Sequence, residues 1–161
     1  MGFKPLAEQA PETQIGDLPS LLGQRFGPTR WHVVDQNLID EFAAATGDYA
    51  WYHVDVDRAR AELPDGKTIA HGLLTLALVP TLFSQAFRLG HSTRGLNYGY
   101  DKIRFVAPVQ TGDRIRLSAV PVEIAPHAQG SVVRVSLSVE IERGQQTALV
   151  GDQLLFVFAA N

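Results

Sequence analysis

The run from His71 to Phe87 constrains this chain more than any other stretch. It reads His71-Gly72-Leu73-Leu74-Thr75-Leu76-Ala77-Leu78-Val79-Pro80 and continues to Phe87 with few polar interruptions. A helix that is apolar on nearly every side has to be covered on nearly every side. Pro80 falls inside it, removes the bond to the Leu76 carbonyl and predicts a local kink. Gly90 is placed to end it.

The last third supplies the cover. Val133, Val135, Leu137, Val139 and Ile141 alternate with Arg134, Ser136, Ser138 and Glu140, the period of a strand with one wet face. Ile115, Leu117 and Ala119 alternate in the same way, and the parity slips to Val122 and Ile124 across Pro121, which predicts a bulge. Leu154–Phe158 is apolar on both faces and predicts a central strand. Leu96–Val106 predicts a further strand. Thr111-Gly112-Asp113 and Arg143-Gly144-Gln145 are the expected turns. A sheet wrapped about one long helix gives an α+β domain.

Upstream, Trp31–Val34 is a short strand candidate, and Leu18–Leu22 a short helical turn. Asp35 is placed to cap a helix carrying Leu38, Ile39, Phe42 and Ala43, with Gly47 as its left-handed stop. The Asp48–His53 segment follows as a loop. Asp55–Leu63 then reads as a short helix with an acidic start, and Pro64-Asp65-Gly66 as a turn. Residues 1–14 are polar and proline-containing and predict a loose tail, leaving 15–161 as one domain.

Composition narrows the function classes. A net charge of -3 argues against a nucleic-acid surface. The absence of cysteine rules out disulfides, iron–sulfur ligation and thiolate zinc, and fits a reducing compartment. The start lacks the apolar run of a signal peptide, and no apolar run is long enough to cross a bilayer. A cytoplasmic protein with no membrane partner is the expectation.

The chemistry-bearing residues cluster just before the apolar helix. Asp48 and His53 share one short segment, and His71-Gly72 opens the helix. An acid and an imidazole held together can grip one water between them. Read alone, each has a plainer use: Asp48 as a turn carboxylate, His53 bonded to Asp55, His71 holding the segment against the helix, Asp55 as a helix cap. His53, Asp55 and His71 can also be drawn as a metal site, a minor alternative; the expectation is no metal. His32, His91 and His127 have no neighbours that suggest more than surface roles.

These residues fall in a familiar order. Thr46-Gly47-Asp48, His53, Asp55 and Ala70-His71-Gly72, followed by Asn97-Tyr98-Gly99 and Lys102-Ile103-Arg104-Phe105-Val106-Ala107-Pro108-Val109, resemble the MaoC-like dehydratases, (R)-specific enoyl-coenzyme A hydratases among them. With Trp51 ahead of the histidine, the likeness is closest to the nodulation-protein-N-like branch. Two positions depart from the wider family: Trp51-Tyr52 replaces an Asn-Pro, and Pro80 stands where some hydratases carry a small polar residue.

The resemblance implies a hot-dog fold, an antiparallel sheet wrapped around a long central helix. It implies reversible hydration of a trans-2-enoyl-coenzyme A to a (3R)-hydroxyacyl-coenzyme A, with no cofactor beyond the coenzyme A of the substrate, and a homodimer that covers sheet edge and helix flank. On this reading Asp48 is the base on the water and His53 orients it and supplies the α-proton, or the two roles are exchanged. Burial is expected to shift the pKa of both. The Gly72 N–H, free at a helix start, faces the enolate oxygen. Trp51, Tyr52, His71, Asn97 and Tyr98 are candidates to line the substrate site. Lys102, Arg104 and Arg94 are candidates for the coenzyme A phosphates, or simply solvate a sheet face. The alternatives are a hot-dog thioesterase and a non-catalytic acyl-coenzyme A binder.

Overall fold

The computed structural model describes residues 12–13, 15–89 and 94–159. Of the expected loose tail, only Glu12–Thr13 falls within them. This pair forms a short strand, β1, and the rest of the tail and the Gly90 helix stop lie outside the described residues. A 3-10 turn, Ile15–Leu21, stands where the short helical turn is expected. Strand β2 (His32–Val34) leads into helix α1 (Gln36–Thr46). The caps of α1 are the expected ones. Asp35 accepts the Leu38 N–H, and Gly47 closes the helix at φ 78°, donating to the Ala43 carbonyl.

The Asp48–His53 segment departs from a plain loop. Its end winds into a one-turn helix, α2 (Trp51–Val54), closed by the Asp55 N–H on the Trp51 carbonyl. Asp55 then caps α3 (Val56–Glu62) by accepting from Arg58 N. The apolar run forms two helices, α4 (Gly72–Ala77) and α5 (Val79–Ala86), with Leu78 between them and Pro80 in the first turn of the second. The proline thus divides the helix rather than bending it, because the lost donor falls where a new first turn needs none.

A short strand β3 (Arg88–Leu89) pairs in parallel with β1. Four long strands follow: β4 (Gly95–Phe105), β5 (Asp113–His127), β6 (Gly130–Ile141) and β7 (Gln146–Phe158). With β2 they make one antiparallel sheet in the order β2-β5-β6-β7-β4. The bulge expected at Pro121 is present as a register shift between Pro121 and Glu123. β7 runs back to Gln146, well before the apolar stretch that marks it in the sequence.

One face of the sheet takes the helix. Ile115, Leu117, Val135, Leu137, Val139, Ile141 and Leu149 bury against Leu74, Leu78, Val79, Leu82 and Phe83. This is the hot-dog arrangement. The cover is incomplete, however. Leu73, Ala77 and Pro80, spaced on one side of the helix, face solvent, and Leu73 is 61% exposed. The sheet also leaves β4 as a free edge. No helix among the described residues is long and apolar enough to cross a membrane.

β4 is irregular where it matters. Its register with β7 shifts between Asp101 and Arg104, and Lys102 takes φ 54°. The bulge presses Ile103 onto Gly151, where a Cβ would lie 3.1 Å from the Ile103 Cα. Beyond it, Phe105 reaches the start of α4.

The tightest backbone approach is in the β5–β6 hairpin. A Cβ at Gly130 would stand 2.1 Å from the Val157 carbonyl oxygen. Gly112, at φ 85°, has nothing within 4 Å of the same position. Gly130→Ala is therefore expected to cost about 2–3 kcal/mol, from clash plus conformation, and Gly112→Ala only about 1 kcal/mol. Urea unfolding of the two variants checks the order.

Candidate functional site

The segment Thr68–Ala70 ties the site together. Ile69 N donates to the Tyr52 carbonyl, and Ala70 N to the Val109 carbonyl. Thr68 Oγ1 donates to Gln36 Oε1, and Gln36 Nε2 donates to the His53 carbonyl at 2.8 Å. These bonds hold α1, α2 and the entry to α4 at fixed separation.

His53 is set by the same segment. Its Nδ1 lies 2.6 Å from the Ile69 carbonyl. A carbonyl only accepts, so Nδ1 carries the proton and Nε2 of the neutral ring keeps a lone pair. His53 is 7% exposed. Its pKa is lowered, first by burial and then by the neighbouring His71, against the opposing pull of the Ile69 carbonyl and Asp48. The ring is therefore neutral near pH 7. Tyr52 stands edge-on to it at 4.5 Å.

His71 ties the Asp48 segment to the start of α4 and is not among the residues that line the cleft at His53 and Gly72. Its Nε2 donates to the Asp48 carbonyl at 2.9 Å, its ring stacks on His53 at 3.7 Å between centroids, and Nδ1 is sealed without a partner. Asp48 is thereby held by its backbone while its side chain stays 57% exposed. One carboxylate oxygen accepts from Ala50 N, and the other lies 4.0 Å from His71 Nε2. The burial expected of both groups holds for His53 alone.

A carboxylate oxygen of Asp48 and ring nitrogens of His53 and His71 lie within 4.8 Å of one another. Two hydrogen bonds of ordinary length span up to about 5.6 Å, so one water reaches both Asp48 and His53. A metal ion fits the same atoms less well. His71 Nε2 is engaged and Nδ1 is sealed, which leaves Asp48 and His53 as open donors where a tetrahedral zinc takes three or four. Asp55, the third member of the metal alternative, caps α3.

His53 and Gly72 face one cleft of about 380 Å³, which Tyr52, Thr75, Phe105 and Val109 also line. No acceptor among the described residues takes the Gly72 N–H. The ring of Phe105 packs on Gly72, 3.0 Å from where a Cβ would stand. Glycine here admits that ring against the backbone. A second hollow, lined by Leu18, Phe83, Phe87, Val133 and other apolar residues, holds only about 10 Å³ and no titratable group.

The remaining sequence candidates divide. Trp51 is half-buried under the Arg58 guanidinium, 4.1 Å away, and does not line the cleft. Lys102 and Arg104 project from the β4 bulge beside Phe105, exposed and outside any ion pair among the described residues. Asn97 and Tyr98 sit near the other end of β4, on the order of 25 Å along the strand from Phe105. Asn97 bonds there with Tyr100 and Gln153, and Tyr98 is 63% exposed. The structure does not bring them to this chain's cleft. Arg94 lies at that end too, over the Phe158 ring. Among the histidines outside the site, His127 is exposed, His32 is half-buried with its pKa lowered by burial, and His91 lies outside the described residues. Sequence reading missed Gln36, Thr75 and the Ile69 carbonyl. The last carries no side-chain signature at all.

The burial of His53 has a measurable sign. Its folded pKa is below the ordinary 6.5, so the unfolded chain binds more protons in the window beneath 6.5. Stability is full above that window and falls as pH drops through it. An NMR titration of the His53 ring is expected to give a midpoint under 6.5; a midpoint above it refutes the neutral, buried ring.

The model of the MaoC like domain matches residues 17–142. Nodulation protein N of Rhizobium leguminosarum bv. viciae is 40% identical over 148 residues, covering 91% of this chain and 92% of that protein. The 3-hydroxyacyl-thioester dehydratase Z of Mycobacterium tuberculosis (strain H37Rv) is 39% identical over 142 residues, covering 88% and 93%. Among solved structures, the unliganded R-hydratase PhaJ1 of Pseudomonas aeruginosa superposes with TM-score 0.68 at 24% identity, over 84% of this chain and 80% of that one. That likeness speaks to the fold. On the family match and the two sequence relatives together, the chain belongs to the MaoC-like dehydratase family.

Proposed function

We propose that the protein hydrates trans-2-enoyl-coenzyme A reversibly to (3R)-hydroxyacyl-coenzyme A. The observation that carries this reading is the buried His53 ring, held by its Nδ1 bond to Ile69 with the Nε2 lone pair left over, close to the Asp48 carboxylate and on the cleft that Gly72 also lines. The names of the relatives, a thioester dehydratase and an R-hydratase, support it.

The geometry favours one of the two role assignments. His53, neutral and desolvated, is the base, and Asp48, exposed to solvent, orients the water by accepting its second hydrogen. Nε2 takes a proton as the water oxygen bonds to the β-carbon. The double-bond electrons move to the α-carbon and the thioester oxygen, which the Gly72 N–H stabilises. The imidazolium then returns its proton to the α-carbon. One water is consumed, and the catalyst ends as it began. Dehydration is the same path reversed. Lys102 and Arg104, exposed on the strand that brings Phe105 to the cleft, are the candidates on this reading for the phosphates of coenzyme A.

A thioesterase that works from a carboxylate on the central helix has no such residue here: 72–87 contains neither Asp nor Glu. Incubation with crotonyl-coenzyme A separates the readings by loss of enoyl absorbance, release of free thiol, or neither; loss of absorbance is expected. Asp48→Asn and His53→Gln are each expected to lower the hydration rate at least about a hundredfold. Near-normal rates in either folded variant would reject the assignment. The rate is also expected to fall on acidification through the His53 pKa, below 6.5, as the lone pair is lost.

The active form is a homodimer on this reading. The apolar flank at Leu73, Ala77 and Pro80 and the free β4 edge are surfaces that a second copy covers. Sedimentation is expected to give twice the mass of the chain, and Leu73→Asp to shift it towards the monomer.

A further inference from the structure

Thr75 is a buried polar residue on the cleft wall that the hydration mechanism leaves unused. It lines the cleft one helical turn after Gly72 and is 3% exposed. Its hydroxyl makes no hydrogen bond among the described residues, yet it is not among the polar atoms sealed from solvent. The opening it meets is therefore the cleft.

That is unusual for a helical hydroxyl. Thr and Ser in helices commonly turn back onto a carbonyl three or four residues earlier. Thr46 does so onto Phe42 at 2.7 Å, and Ser84 onto Thr81 at 2.8 Å. At Thr75 the carbonyl that would serve, that of His71, already accepts both Leu74 N and Thr75 N. Helical side chains lean towards the N-terminus and cover the preceding turn. The Thr75 side chain thus leans over the turn that presents the free Gly72 N–H.

We propose that the Thr75 hydroxyl is a second hydrogen-bond donor to the thioester oxygen, acting beside the Gly72 N–H on the same helix turn. This rests on the hydration reading of the same cleft. The hydroxyl proton stays on Thr75 throughout; it stabilises the charge that gathers on the oxygen as water adds and releases it when the α-carbon is protonated. A carbonyl drawn between two donors is also fixed in plane, which holds the β-carbon towards the water at Asp48 and His53.

The test uses the full chain with Thr75→Val, Thr75→Ala and Thr75→Ser, and crotonyl-coenzyme A as the probe. Valine keeps the shape and removes the hydroxyl, alanine removes it without added bulk, and serine retains it. Val and Ala are expected to lower kcat at least about tenfold with KM little changed, and Ser to stay within about threefold of wild type. A second readout is the thioester carbonyl stretch of crotonyl-coenzyme A bound to His53→Ala. It should move to higher wavenumber when Thr75→Val is added, because a donor is lost. Near-wild-type rates in Val and Ala overturn the proposal, as does an unmoved carbonyl band. So does an equal loss in all three variants, which would make Thr75 a packing residue. A wild-type protein inert towards crotonyl-coenzyme A overturns the hydration reading and this proposal with it. An active wild type with unaffected variants overturns this proposal alone.

Discussion

The polar half of this molecule hangs on three residues of extended backbone, Thr68–Ala70. They exchange bonds with α1 through Gln36, with α2 through Tyr52 and His53, and with the chain before β5 through Val109 and Thr111. A backbone bridged on both sides has little freedom to shift, and the Ile69 carbonyl inherits that rigidity. The imidazole it holds is oriented by main chain rather than by another side chain. Its tautomer is thus a property of the fold, insensitive to the titration of any neighbour that could otherwise serve as its partner.

Asp48 and His53 differ sharply in their exposure. One is dry and the other wet, although they sit in one segment five residues apart. The difference comes from α2. A single turn of helix rotates His53 inward onto Ile69 while leaving Asp48 outside it, tethered by its own carbonyl to His71. Stacking of the two imidazoles keeps His71 under His53. The histidine that opens the central helix therefore acts as a strut between Asp48 and His53.

Much of this was legible in the residues. The caps of α1, the slip at Pro121, the wet-and-dry alternation of β6 and the order Asp48, His53, His71-Gly72 each have a local physical cause that a sequence displays. What stayed hidden depends on distant backbone. Trp51-Tyr52-His53-Val54 has poor helix propensity, and its turn exists because Asp55 closes it and Ile69 anchors it. The early part of β7 carries Gly151-Asp152-Gln153, which lacks the apolar pattern that marks Leu154–Phe158 as a strand. Asp152 is in fact matched by Ser136 and Arg134 across the ladder, and Gly151 makes room for the β4 bulge. Thr75 was lost in a run read as simply apolar. Asn97 and Tyr98 belong to the family motif, but a motif gives order along the chain and not the direction in which a long strand carries its ends.

The bulge in β4 has a consequence for how the protein behaves at high concentration. A free edge strand is a template on which further chains can stack without limit, the route to fibrils. Here the eleven-residue edge loses its regular ladder twice, after Asn97 and again at Lys102, where the backbone turns left-handed and exposes a cation. Only short stretches of uninterrupted donors and acceptors remain. A partner that covers this edge meets it in short segments, and a long ribbon of stacked strands has little continuous pairing on which to grow.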